Sequence, residues 1–140
     1  QRLIVVDDSI VRGNTQRALV RMLREAGARE VHVRISSPPV AWPCFYGIDF
    51  ASPAELIANG LSVEEICVSI NADSLAFVTL AALVGATQQK KEHLCRACFD
   101  GVYPVELPAE DRIGKSVLEG IARRVENSAG GGANDALKRV

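Results

Sequence analysis

The sequence predicts an α/β protein built on a parallel sheet, and three patterns near its start indicate this. Residues 3–6 are four consecutive apolar residues, which is typical of a strand buried on both faces. Residues 16–26 carry an apolar stripe at helical spacing. The members of the stripe are Ala18, Leu19, Met22, Leu23 and Ala26. Residues 30–35 alternate between polar and apolar side chains and indicate a second strand, which completes a right-handed βαβ unit.

Two capping boxes indicate further helices. Ser52 and Ser62 each stand three residues before a glutamate, an arrangement in which serine and glutamate satisfy each other's backbone N–H groups. Pro53 occupies the first helical position. We therefore expect one helix over 53–60 and a second over 63–70.

The remaining elements are indicated more weakly. Residues 75–78 predict a third strand, after which Thr79 can cap a helix that ends at residue 83 or 84. Residues 85–92 are expected to form a polar linker. A terminal helix is expected over 115–125, and the glycines at 130–132 predict a flexible break before a disordered end.

The composition suits one small globular domain and excludes two classes of partner. The chain has 140 residues, of which 48% are hydrophobic, and a net charge of −1. The balanced charge gives no reason to expect nucleic acid or a membrane surface. No apolar run approaches the roughly 20 residues that span a bilayer. There is no signal peptide either, so we expect a cytoplasmic protein.

The start of the chain predicts a fragment. The sequence begins with Gln1 and enters a strand of the buried type almost at once, without an initiator methionine. A parallel strand at the very start should have a preceding crossover and a neighbour. We therefore expect an N-terminal part to be missing, either naturally or because the expressed protein was trimmed.

The first strand leads into a loop with the chemistry of a phosphosugar site. Asp7 and Asp8 stand where the strand should end, and carboxylates there suit hydroxyl groups or a hard cation such as Mg²⁺. Gly13 allows the backbone to approach a ligand, and Asn14 or Thr15 can cap the helix. The free N–H groups of its first turn favour a phosphate. The alternative is an ordinary Asp-Asp turn before a capped helix.

Three ordered runs of sequence resemble the amidophosphoribosyltransferase family, a branch of the type I phosphoribosyltransferases. The first run is VDDSIVRGNT at 6–15, which is similar to the loop that binds phosphoribosyl pyrophosphate in that class. The second comprises RISSPP at 34–39 and PCFYGID at 43–49, and the third is CRACFDGVYP at 95–104. Together they extend over about the first 105 residues in the order that the family shows.

The resemblance implies a domain plan. Residues 1–86 would be the C-terminal half of a Rossmann-like phosphoribosyltransferase domain, 87–106 a linker with a cluster-binding segment, and 107–140 a tail that is partly helical and then disordered. The family also has an N-terminal glutaminase domain with a catalytic cysteine, and this chain contains neither. We therefore assign no catalytic residue within the chain, and we expect the fragment alone to be inactive.

The resemblance also implies a reaction, in which ammonia from glutamine replaces the pyrophosphate of phosphoribosyl pyrophosphate at the first step of de novo purine synthesis. Asp7 and Asp8 would hold ribose hydroxyls and Mg²⁺, and Ser36 and Ser37 would line the site. Purine nucleotides are the expected inhibitors and a homotetramer the expected assembly. The residues expected to bind phosphoribosyl pyrophosphate are Asp7, Asp8, Ser9, Ile10, Val11, Arg12, Gly13, Asn14 and Thr15.

The four cysteines leave several chemistries open. Without a secretory signal, a disulfide framework is a poor expectation. Cys95 and Cys98 form a CxxC pair, which is compatible with zinc, an iron–sulfur centre, redox activity or chance. One pair cannot complete a four-cysteine site, and Cys44 in the proline-rich loop could supply a third ligand.

The resemblance favours a [4Fe–4S] cluster among these choices. One branch of the family carries such a cluster on four cysteines, and Cys44, Cys95 and Cys98 fall on three of those positions. The fourth would lie in the missing part, while Cys67 falls on no ligand position and is expected to be a small buried hydrophobe. Zinc is the alternative metal.

Three alternative functions stay open. Another type I phosphoribosyltransferase would share the loop but would not need the cysteine set. A non-catalytic protein that binds phosphoribosyl pyrophosphate, such as a repressor of this fold, should show a helix-turn-helix motif and a basic face, and neither is evident. A small metal-binding module would be indifferent to the loss of Asp7.

Overall fold

The structure is a computed structural model, and it describes residues 1–47 and 52–106. The helix expected over 115–125 and the flexible break at 130–132 lie outside the described residues. So do residues 48 and 49 of the second family-like run and the tail over 107–140.

Three parallel strands form the sheet, which confirms the predicted α/β class. They are β1 (Arg2–Asp7), β2 (Glu30–Ile35) and β3 (Ser74–Phe77), in the spatial order β1-β2-β3. Asp7 pairs with Ile35, and Ile35 pairs with Phe77, so the carboxyl ends of all three strands meet at one edge of the sheet.

Five helices and two short 3₁₀ turns connect the strands or follow them within the described residues. The helices are α1 (Asn14–Glu25), α2 (Ile57–Gly60), α3 (Val63–Ser69), α4 (Leu80–Thr87) and α5 (Ala97–Asp100), and the 3₁₀ turns are Pro53–Glu55 and Lys91–His93. None of these helices has the length and apolar character that crossing a membrane requires.

Two helices differ from their predicted extents. The capping box of Ser52 and Glu55 forms, but the helix that it starts breaks at Leu56, whose extended backbone (φ −76°, ψ 111°) separates the 3₁₀ turn from α2. Thr79 caps α4 as predicted by accepting the Ala82 N–H at 3.2 Å. The helix then continues through Gly85 to Thr87, where the sequence predicted a polar linker.

The core lies on one face of the sheet. Val31, Val33 and Ile35 of β2 are at most 2% exposed and pack against Val20 of α1 and Ile66 of α3. Each such side chain stabilises the fold by roughly 1.5–3 kcal/mol through burial. Both crossover connections therefore lie on the same side of the sheet.

The opposite face of the sheet corrects one prediction. Ile4 and Val6 of β1 are 71% and 72% exposed, whereas we expected this strand to be buried on both faces. Helices α1, α2 and α3 contribute to the core cluster on the other face, so β1 alternates between half-buried and exposed side chains.

The Asp73 carboxylate, which lies just before β3, connects the beginning of β2 to the helical layer. The Asp73 carboxylate accepts the Val31 N–H at 2.6 Å and an Arg24 guanidinium N–H at 2.7 Å. The Val31 hydrogen bond is the main reason that the pKa of Asp73 lies below its ordinary value of 3.8, and Arg24 lowers the pKa further. A carboxyl whose pKa is lowered by folding stabilises the folded state at pH values above its unfolded pKa. This stabilisation disappears as the pH falls through the folded pKa.

Asp73→Asn should therefore lower the urea midpoint at neutral pH, because the amide cannot form the ion pair with Arg24. At strongly acidic pH, where Asp73 is protonated, the midpoints of the variant and the unmodified chain should converge. Glu25→Gln removes an exposed carboxylate that pairs with Arg21 at 3.8 Å and should leave the midpoint unchanged. An equal deficit for Asp73→Asn at both pH values would contradict the assignment.

Candidate functional site

A concavity of about 410 Å³ lies at the carboxyl end of β1 and is the candidate site. Its lining contains eight of the nine residues predicted to bind phosphoribosyl pyrophosphate, all except Ile10, together with Gln16. Ile10 is 1% exposed in the core, so its side chain is not available to a ligand. The structure therefore brings eight of the nine residues together on one surface.

Asp7 is held by four hydrogen bonds from three directions. Its carboxylate accepts the Asp8 N–H at 2.9 Å and the Gln16 side-chain amide at 2.6 Å. Its main-chain carbonyl accepts both the N–H and the hydroxyl of Ser36, each at 2.9 Å. The strand, the helix and the loop after β2 thus converge on this one residue.

Asp8 has a different environment. Its side chain is exposed, and in the described part of the chain it makes no hydrogen bond and no ion pair. A carboxylate in that state can bind a hydroxyl or a hard cation without first giving up a protein contact. Ser37, in contrast, uses its hydroxyl on the Pro38 carbonyl at 2.9 Å.

Helix α1 begins differently from the prediction. The N-cap is Gly13, at φ 77°, and neither Asn14 nor Thr15 caps the helix with its side chain. A Cβ atom at position 13 would lie 2.8 Å from Ile57 Cδ1, so the close approach of α2 requires glycine as well. The N–H groups of the first turn therefore carry no side-chain cap and are open to an anion.

Arg12 is paired with an acid across the edge of the concavity. Its Nε lies 3.3 Å from a Glu55 carboxylate oxygen, with both side chains about half exposed. Hydrogen bonds from Ser52 fix Glu55 and hold its pKa below the ordinary value, with Arg12 adding to the shift. A phosphate in the loop would have to compete with Glu55 for this guanidinium.

A second region forms where the loop after β2 meets the CxxC segment. The Cys98 carbonyl accepts the N–H groups of Ala41 and Trp42 at 3.1 Å, and the Tyr103 hydroxyl donates to the Pro43 carbonyl at 2.8 Å. Phe45 packs against the Tyr103 ring with centroids 5.2 Å apart. These contacts fix the loop that carries Cys44 beside the segment that carries Cys95 and Cys98.

The three predicted cluster ligands lie on the two segments that these hydrogen bonds hold side by side. Burial raises the pKa of the Cys98 thiol, and the charges of Cys44 and Cys95 raise it further. The Cys44 sulfur also accepts the Tyr46 N–H at 3.4 Å. Cys67 lies apart on α3, where it is half-buried and donates to the Ala72 carbonyl at 3.2 Å, which agrees with a structural role.

The described residues form no site for a single metal ion. In residues 1–47 and 52–106, no three His, Cys, Asp or Glu side chains are close enough to hold one metal ion. A tetrahedral zinc, with Zn–S distances near 2.3 Å, would require such closeness. A cluster of several irons takes its sulfur ligands further apart than a single ion does.

The small apolar core beneath these two regions connects them. Val40 and Leu56 are both 2% exposed and pack with Val11 of the loop after β1 and with Cys98 and Phe99 of the CxxC segment. The Ile57 N–H also donates to the Val11 carbonyl at 2.9 Å. A displacement of the CxxC segment would therefore shift side chains that line the concavity.

Curated relatives match nearly the whole chain. The amidophosphoribosyltransferases of Mycobacterium bovis and Mycobacterium tuberculosis are 60% identical over 138 residues, which is 95% of this chain and 26% of their length. That of Bacillus subtilis is 54% identical over 76% of the chain and 23% of the relative. The chain thus spans about a quarter of the curated relatives that it matches. No family model matches.

Two solved structures also match most of this chain. The glutamine phosphoribosylpyrophosphate amidotransferase of B. subtilis, complexed with ADP and GMP, matches with a TM-score of 0.72 at 53% identity. The match extends over 78% of this chain and 25% of the B. subtilis chain. A structure described as the allosteric regulatory enzyme of purine biosynthesis matches with a TM-score of 0.75 at 48% identity, covering 83% of this chain and 26% of its own length.

Gly101→Ala tests the attachment of the CxxC segment. Gly101 has φ 72°, and a Cβ there would lie 2.8 Å from the Trp42 ring, so alanine should lower the unfolding free energy by roughly 1–3 kcal/mol. Trp42 is the sole tryptophan, and its fluorescence should shift to the red as the ring is displaced. Gly27→Ala is the matched control, because its φ of 95° is also positive and nothing lies within 4 Å of a Cβ atom there. An unchanged emission in Gly101→Ala would contradict the contact.

Proposed function

Because the chain belongs to the amidophosphoribosyltransferase family, we propose that it forms the part of such an enzyme that binds phosphoribosyl pyrophosphate. Ammonia from glutamine attacks C1 of the sugar, pyrophosphate departs, and 5-phosphoribosylamine forms as the first committed step of purine synthesis. We assign no residue of this chain to the hydrolysis of glutamine. A cytoplasmic location suits the free cysteines, which remain reduced there.

The single observation that carries the proposal is the concavity at the end of β1. Carboxylates at one end of it and open N–H groups at the first turn of α1 match the two ends of a ribose phosphate. The site lies at the carboxyl edge of a parallel sheet, where α/β proteins bind such ligands. An ordinary Asp-Asp turn would not need both features on one surface.

Each part of the loop has a role in the proposed reaction. Asp7 and Asp8 bind the ribose hydroxyls and help to place Mg²⁺, which offsets the charge of the leaving pyrophosphate when it is bound. The backbone of residues 9–15 binds the 5′-phosphate. Arg12 adds positive charge once the phosphate has displaced Glu55.

The bond changes explain why the loop needs no general base. The bond from C1 to the pyrophosphate oxygen breaks, and the electron pair leaves with pyrophosphate. The nitrogen lone pair forms the new bond to C1, and the ammonium so formed passes one proton to the departed pyrophosphate, so no side chain of the loop has to accept it. Positive charge develops on the ring as the leaving group departs, so positioning and exclusion of water matter most.

The three neighbouring cysteines support an iron–sulfur centre in the same protein. Cys44, Cys95 and Cys98 would supply three thiolates to a [4Fe–4S] cluster, and the fourth ligand is not assigned. The cluster would fix the CxxC segment against the loop after β2 and act structurally. Purine nucleotides would inhibit by placing their phosphate on residues 9–15, and a homotetramer is the proposed assembly.

Asp8→Asn and Asp7→Asn should each lower phosphoribosyl transfer by roughly a hundredfold or more in the gene product that contains this chain, because the ligands for ribose and Mg²⁺ are lost. Glutamine hydrolysis by the same preparation should persist. Glu64→Gln, which removes an exposed carboxylate on α3, is the control for charge and should transfer normally. Full transfer activity in both aspartate variants would refute the site.

Serine substitution tests the cluster. Cys44→Ser, Cys95→Ser and Cys98→Ser should each deplete iron and acid-labile sulfide in protein purified without oxygen. Cys67→Ser should retain both, because that thiol lies on α3 away from the other three. Stoichiometric zinc with no sulfide, or an equal loss in Cys67→Ser, would contradict the cluster assignment.

A further inference from the structure

Gln16 is a polar residue that is buried on the apolar face of helix α1. It lies in the first turn of α1, one helical turn before the fully buried Val20, and is 5% exposed. It is the one buried polar side chain among the described residues. An amide in such a position costs free energy unless its hydrogen bonds are made, so its partners indicate why it is tolerated.

Both partners of the Gln16 amide belong to the candidate site. Its Nε2 donates to Asp7 Oδ2 at 2.6 Å and lies 3.3 Å from the Ser9 carbonyl. The other Asp7 oxygen accepts the Asp8 N–H at 2.9 Å. The Asp7 carboxylate is therefore fixed at both oxygens, although each oxygen keeps a lone pair for a ligand.

The two adjacent aspartates are consequently not equivalent. Asp7 is half-buried and held by protein N–H groups, whereas Asp8 is exposed and makes no side-chain contact within residues 1–47 and 52–106. A rotation about χ1 or χ2 of Asp7 would break the bond to Gln16. Asp8 has no comparable restraint.

We infer that Gln16 is a positioning residue for the transfer reaction, acting through Asp7. It holds the Asp7 carboxylate in one rotamer, so that the carboxylate meets the ribose hydroxyls and Mg²⁺ without reorganisation. This inference rests on the proposed function, because it assumes that Asp7 contacts the sugar. A carboxylate that is already oriented loses less entropy when the ligand binds.

Gln16→Leu and Gln16→Met test the role, since both keep the size of the side chain and suit the apolar core but cannot donate. Each should lower kcat/KM for phosphoribosyl pyrophosphate by roughly tenfold to a hundredfold and raise the Mg²⁺ concentration for half-maximal activity. Gln16→Glu should be worse, because it places a second carboxylate beside Asp7. All are measured in the gene product that contains this chain.

Val20→Ala is the matched structural control. Val20 is fully buried on the same helix and does not contact Asp7, so alanine should lower the urea midpoint while leaving the Mg²⁺ requirement unchanged. If Val20→Ala shifts the Mg²⁺ requirement as Gln16→Leu does, helix stability alone explains the effect and the inference is overturned.

A double variant separates this inference from the function on which it rests. If Gln16 acts through Asp7, adding Gln16→Leu to Asp7→Asn should cause no further loss. Additive losses, or normal kinetics in Gln16→Leu and Gln16→Met beside an impaired Asp7→Asn, would overturn the inference alone. Normal transfer in both Asp7→Asn and Asp8→Asn would instead overturn the proposed function.

Discussion

The pairing of β1 with β2, completed at Asp7, is the interaction on which the rest of the structure depends. The register places Asp7 opposite Ile35, and the next residue, Ser36, closes the ladder with two hydrogen bonds to the Asp7 carbonyl. A slip of one residue would turn Asp7 towards the other face of the sheet. A one-residue slip of β2 would likewise take its core residues out of the helical layer, so the register specifies both burial and the site.

The loop after β2 connects the end of β1 to the segment that carries the cysteines. It leaves Ser36 beside Asp7, passes Val40 through the small core shared with Val11, and presents Cys44 next to Cys98. Its proline-rich sequence suits this task, because fixed φ angles lower the entropy lost when the loop is ordered. The cluster proposed for its far end would thus stabilise the surface that carries the loop after β1.

Local signals in the sequence were enough for most of the elements. The bounds of β2 and the capping boxes of Ser52 and Ser62 follow from side chains that act on their own neighbours. The buried face of α1 did not follow: the predicted stripe includes Met22, which is 55% exposed, whereas Val20 is fully buried. Helix orientation is set by what β2 and α3 present to it, and a periodic pattern in one helix does not contain that information.

In the candidate site too, local motifs could be predicted from the sequence, whereas contacts between separate elements could not. The acidic pair and the glycine form a recognisable loop motif. The hydrogen bond from Gln16 to Asp7 belongs to no such motif, because the sequence pattern shows Gln16 only as part of a predicted helix. A polar residue one turn before a buried valine was the available signal. The contact between Arg12 and Glu55 joins residues 43 positions apart and had no signal in the sequence.

The central claim is that the concavity at the end of β1 binds phosphoribosyl pyrophosphate, and a crystal structure of the gene product with phosphoribosyl pyrophosphate and Mg²⁺ tests it most directly. The account predicts the 5′-phosphate on the backbone N–H groups of residues 9–15 and the ribose hydroxyls at Asp7 and Asp8. A ligand bound elsewhere, with this concavity filled only by water at saturating concentration, would contradict it.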